Sequence, residues 1–120
     1  MKPSLKEALR KSRFRARFRL DDEDRAYIQR LGLSYIRAHT HDFIERRLAP
    51  AQPKNDGKQT PFKGHPVFKA QHATATCCRG CLEKWHRIES GRPLSSEETE
   101  KVAAIIMDWI ETQLKEGGGR

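Results

Sequence analysis

The most regular hydrophobic pattern in the chain lies near its C-terminus. Val102, Ile105, Ile106, Trp109 and Ile110 recur at i, i+3, i+4, i+7 and i+8, the spacing of one face of an amphipathic helix. Ser95 or Ser96 stands where an N-cap belongs, and Glu97 and Glu98 favour the positive end of the helix dipole. An earlier helix is predicted from Asp21 or Asp22 to about Leu31, with acids in its first turn and Gly32 as its stop. Another follows from about Ser34 to Leu48, carrying Ile36, His39, Phe43, Ile44 and Leu48 on one stripe and ending before Pro50. Between Ala49 and Pro66, the breakers Pro50, Pro53, Gly57, Pro61 and Gly64 predict a long loop. A different period governs residues 12–20, where Phe14, Ala16, Phe18 and Leu20 alternate strictly with Arg13, Arg15, Arg17 and Arg19. Strand period predicts an extended arm with its phenylalanines packed inward and its arginines outward.

These elements give a mainly α fold: a small helical domain over residues 21–116, preceded by a basic arm at 1–20 and followed by a flexible tail at 117–120. A chain of 120 residues suits one domain rather than two. No apolar run approaches a bilayer span, and no apolar stretch follows the N-terminal charges, so neither membrane insertion nor a signal peptide is expected and the cytosol is the expected compartment.

Charge changes the picture only for the arm. The net charge is +8, but residues 1–20 carry eight basic side chains against Glu7, a local net of +7, which leaves the rest of the chain nearly neutral. An arm of this kind docks on phosphates by releasing counterions, so nucleic acid contact through Arg13, Arg15, Arg17 and Arg19 is one expectation; a plain solubilising segment is the other.

The chemistry concentrates in residues 64–86, which hold all three cysteines and three of the five histidines. Zinc takes four nitrogen or sulfur ligands in a tetrahedron, and two thiolates two residues apart can wrap one ion across a tight turn. The ligand set expected from spacing is Cys78, Cys81, His86 and His72, with a turn at Gly80 between the cysteines. On an unbroken helix His86 would project about 140° from Cys81, so this set requires a break near Gly80. Cys77 is set aside, because adjacent residues do not readily face one ion. The plainer alternative buries all three cysteines as small apolar residues.

A structural zinc is favoured because four protein ligands can be named. The rival is an enzyme, either a hydrolase using zinc-bound water with His65 or Asp56 as proton shuttle, or one using a cysteine thiolate. His39 is read as a core histidine and His41 as solvated, while His65 either caps a helix starting at Pro66 or stands free as an acid or base. A RING finger needs more cysteines than these, and a zinc deaminase would carry Pro before its CxxC and His-x-Glu upstream. Residues 57–60 echo the end of a P-loop but lack its first glycine and a preceding strand.

Five stretches together resemble one known family. They are Ser-Arg-Phe-Arg-Ala-Arg-Phe (12–18), Arg-Leu-Ala-Pro-Ala (47–51), Asn-Asp-Gly-Lys-Gln-Thr-Pro (55–61), Gly-His-Pro-Val-Phe (64–68) and Gln-His-Ala-Thr-Ala-Thr-Cys-Cys-Arg-Gly-Cys-Leu-Glu-Lys-Trp-His (71–86). The chain resembles, from about Ser12 to Ile110, the mainly bacterial family called domain of unknown function 4186. The resemblance implies that the His/Cys segment and the 55–61 loop belong to one design, and it implies no particular activity. Glu89, where the family often carries proline, departs from the pattern in the turn after the segment.

Overall fold

The computed structural model describes residues 1–118. Among the described residues seven α-helices follow one another: α1 (Pro3–Lys11), α2 (Arg13–Ala16), α3 (Asp22–Leu31), α4 (Leu33–Phe43), α5 (Pro66–Ala73), α6 (Arg79–His86) and α7 (Ser96–Gly118). A π-helical turn, Ile44–Leu48, extends α4 without interruption. No strand occurs among the described residues.

The long C-terminal helix organises the rest. Val102, Ala103, Ile106, Met107 and Ile110 of α7 are buried against α4, the π-turn and α5, joining Ile36, Ile44, Leu48, Val67, Ala70 and Leu82 in one core. Its start follows from a reciprocal cap, in which Ser95 Oγ accepts from Glu98 N–H while the Glu98 carboxylate accepts from Ser95 N–H. Asp21 and Asp24 build the same device on α3, and Gly32, at φ +89°, ends α3 where a side chain would be strained. The tail expected at 117–120 begins inside α7, which is continuous through Gly118; residues 119 and 120 lie outside the described residues.

The N-terminal segment departs from expectation: the extended arm is helical over Pro3–Lys11 and again over Arg13–Ala16. An isolated strand would leave its N–H and C=O groups without partners, whereas helical turns satisfy their own. Ser12 Oγ accepts from Arg15 N–H and Ser12 C=O from Ala16 N–H. Alternation over so few residues also places Phe14 and Phe18 four apart, and their rings meet edge to face at 5.3 Å. Leu9 and Leu20 are buried, so both ends of the segment are anchored.

Between α5 and α6 the chain reverses through a buried turn, Thr74-Ala75-Thr76. Ala75 takes φ +59°, a left-handed conformation costing about 1–2 kcal/mol for a non-glycine residue. Hydrogen bonds hold it there: Thr76 N–H donates to Gln71 C=O, the Gln71 amide donates to Thr76 C=O, and Thr74 Oγ1 donates to Ala70 C=O. This turn delivers the cysteines to the start of α6.

Candidate metal centre

Cys78 is the N-cap of α6, with extended backbone, and its Sγ accepts from Cys81 N–H at 3.3 Å. The break in the chain therefore falls at Cys78 rather than at Gly80, which lies inside the first turn of α6. Because Cys77 and Cys78 precede the helix, the spacing argument that set Cys77 aside does not hold. The Sγ atoms of Cys77, Cys78 and Cys81 all lie within 4.8 Å of one another, and those of Cys77 and Cys81 are 3.6 Å apart.

One cation faces this cluster. Arg15, expected to point outward, turns in from α2 and donates to Cys81 Sγ at 3.1 Å, Cys77 Sγ at 3.6 Å and His72 C=O at 2.8 Å. Hydrogen bonds from the Cys77 and Cys78 thiols, with the Arg15 charge beside them, hold Cys81 far below the ordinary thiol range. Hydrogen bonds with Cys78 and Cys81, together with burial, push the Cys77 thiol upward, so Cys81 is the member of this pair that favours the thiolate. The N-terminus of α6 adds its dipole.

The histidines occupy other positions. His86 lies on the same unbroken helix as Cys81, and its Nε2 meets Thr74 C=O at 2.7 Å. His72 Nε2 meets Thr60 C=O at 3.0 Å and Pro61 C=O at 3.2 Å, while its Nδ1 is buried without a partner. Burial lowers the pKa of both rings.

Both proton-shuttle candidates cap helices, and His65 keeps a buried Nε2 with no partner. The Asp56 carboxylate accepts from Arg79 N–H at 3.1 Å, capping α6, and from the Gln59 amide at 2.9 Å. His65 caps α5 through Nδ1, which accepts from Val67 N–H, and its ring packs among Tyr27, His39, Phe43 and Phe68.

His65 has a consequence for acid stability. Burial and the neighbouring His39 lower its pKa to about 4, from 6.5 for a free imidazole. Between those values the unfolded chain binds a proton that the folded chain refuses, so stability falls as pH drops from 6.5 towards 4. His72 and His86 act in the same direction. His65→Asn keeps an N-cap acceptor and removes the titration, so its thermal midpoint should fall less than that of the parent between pH 7 and 4.5. Parallel declines would contradict this assignment.

Spacing gave no warning of Arg79. Its side chain is fully buried, and its guanidinium donates to the carbonyls of Leu48, Ala49, Pro50, Glu89 and Arg92 at 2.8–3.4 Å. It thereby fastens the start of the long loop and the turn before α7 to the helix that carries Cys81. A basic residue between two cysteines, with Glu83 four residues on to suggest an ordinary surface ion pair, gives no cue to carbonyl partners.

The family model described as Domain of unknown function (DUF4186) matches residues 4–111. The chain belongs to this family. The match takes in nearly all of α1, both arginines of α2, all three cysteines and most of α7, so the Arg15–thiol contact lies wholly within the family's domain. No solved structure matches the chain. No helix among the described residues is long and apolar enough to cross a membrane.

Proposed function

We propose that this DUF4186 protein holds a zinc ion through Cys77, Cys78 and Cys81, and that the ion is structural. The observation that carries this reading is the packing of three thiols within 4.8 Å. A tetrahedral ion with Zn–S bonds of about 2.3 Å sets its sulfurs about 3.8 Å apart. Cys77 and Cys81, at 3.6 Å, already have that separation. Arg15 supports the reading as well, since its charge offsets the net negative charge of a tris-thiolate zinc and its N–H groups orient the sulfurs.

His72 is the best fourth ligand. Metal-bound histidines usually donate their second ring N–H to a carbonyl or carboxylate. With Nε2–H donating to Thr60 C=O, the buried Nδ1 carries the lone pair that a metal needs. His72 stands outside the 4.8 Å group, so its ring must approach the sulfurs on binding. Cys77 takes the place that spacing suggested for His86, whose ring is engaged with Thr74. A structural role is supported by a cleft of about 570 Å³ between α1 and α7, whose lining includes Arg15, Ala73 and Thr74 but no cysteine.

Cobalt(II) in place of zinc tests the ligand set, because thiolate-to-cobalt charge transfer reports each sulfur. Cys77→Ser, Cys78→Ser and Cys81→Ser should each weaken this band and lower affinity beyond the roughly 10- to 100-fold cost of losing a merely supporting residue. His72→Phe should retain the thiolate band and alter the ligand-field bands; His86→Phe should leave both unchanged. A Cys77→Ser spectrum identical to the parent's would overturn the assignment.

A further inference from the structure

Beside the thiol cluster, and using none of its cysteines, lies an unusual surface. Phe14 is 38% exposed and Phe62 58% exposed, although both are large apolar rings. They meet edge to face at 6.1 Å. Behind them His72 stacks on Phe62 at 4.7 Å and on Phe18 at 5.3 Å, and its Nε2 is tied to Thr60 and Pro61. The rings therefore pack on His72 and Phe18 on their inner side.

The charged residues next to these rings in the chain are basic. Arg17 lies over Phe14 at 4.9 Å and over Phe18 at 5.4 Å, and it is exposed. Exposed Arg13 precedes Phe14 and exposed Lys63 follows Phe62, and residues 12–20 contain four arginines and no acid. Arg15 also lies over Phe14, at 5.3 Å, but its guanidinium N–H groups are committed to Cys81, Cys77 and His72. That commitment fixes α2 on the body of the protein and makes the basic segment a shaped face rather than a loose tail.

We propose that Phe14 and Phe62 form a stacking platform for single-stranded nucleic acid, with Arg13, Arg17 and Lys63 engaging the phosphates. Exposed aromatic rings set among cations combine the two features that bind unpaired strands: π-faces for bases and positive charge for the backbone. A duplex keeps its base faces stacked internally and offers the rings nothing, so charge alone would hold it.

Fluorescence anisotropy of the full chain with labelled oligothymidylate and the matching oligouridylate tests the proposal. Binding should weaken with salt, at a log-log slope of about −0.7 for each phosphate neutralised on a single strand. Phe62→Ala should weaken binding roughly 5- to 100-fold, the range expected for loss of one stacked base. It should leave the circular dichroism unchanged and lower the thermal midpoint only slightly, because the ring is largely exposed and packs on one side against His72. Arg17→Gln should weaken binding and flatten the salt slope by about 0.7. Any of three results would overturn the proposal: no binding at low salt, Phe62→Ala binding as tightly as the parent, or equal binding of duplex DNA. Binding to vesicles of anionic lipid in preference to the oligonucleotides would also overturn it and assign the face to membranes.

Discussion

Replacing Arg79 with methionine should destabilise the protein by about 3–5 kcal/mol, the usual cost of breaking a buried charged network from one side. Methionine matches the aliphatic stem but donates nothing, leaving the carbonyls of Leu48, Ala49, Pro50, Glu89 and Arg92 to find water or remain unpaired. Arg79→Lys should recover only part of the loss. A lysine ammonium has three donors on one atom and cannot span two chain segments as the guanidinium fork does. In a domain of this size, the methionine variant should melt roughly 10–20 °C lower. Thermal and urea unfolding of the two variants would measure this. A loss below about 1 kcal/mol for Arg79→Met would show that the bonds make little net contribution.

The second large effect concerns the thiols. Cys81→Ser, Cys78→Ser and Cys77→Ser should each lose the metal and cost several kcal/mol, because metal-binding free energy becomes folding free energy when the site exists only in the folded chain. Cys81→Ser should be the most damaging, since it also removes the sulfur to which Arg15 donates at 3.1 Å and so loosens α2 against α6, while the Arg15 bond to His72 C=O still ties α2 to α5. If the cysteines were only packing, each substitution would cost about 1–2 kcal/mol for an imperfectly satisfied hydroxyl. Metal-depleted parent protein would then melt as the purified form does. Equilibrium unfolding of the three variants, with and without added zinc, distinguishes these cases.

The elements legible in the sequence were those whose ends are marked by local chemistry. Ser95 with Glu98, Asp21 with Asp24, and Gly32 mark helix ends through contacts within three or four residues, and the apolar stripe of α7 spans enough turns to fix its period. Pro50, Pro53 and Pro61 likewise forecast a long irregular segment, and residues 49–65 contain no regular helix. The arm was misread because a short alternation also satisfies i, i+4 pairing, and only the absence of a partner strand decides between them. Arg15 shows the cost of that misreading: strand alternation sent it to solvent, while the fold brings it to sulfurs 62 and 66 residues away.

At the candidate site, sequence spacing located the segment but not the grouping of its side chains. The break expected near Gly80 is not there: the chain turns at Cys78, where an N-cap needs extended backbone, and the helix runs unbroken from Arg79 to His86. That shift brings Cys77 into the cluster. It also places His86 on the same straight helix as Cys81, where its ring reaches Thr74. The sharp turn that reverses the chain is held by Gln71, Thr74 and Thr76, polar residues whose roles depend on burial and so leave no periodic trace.

The most direct test of the metal centre is zinc stoichiometry in protein purified without a histidine tag, read together with the thermal midpoint before and after treatment with a chelator. A structural zinc on Cys77, Cys78 and Cys81 requires about one zinc per chain, thiols that resist modification until the chelator is added, and a large fall in the midpoint once the metal is gone. Protein without bound metal that takes up no zinc when supplied, has freely reactive thiols and melts with the same cooperativity regardless of chelator would contradict the account.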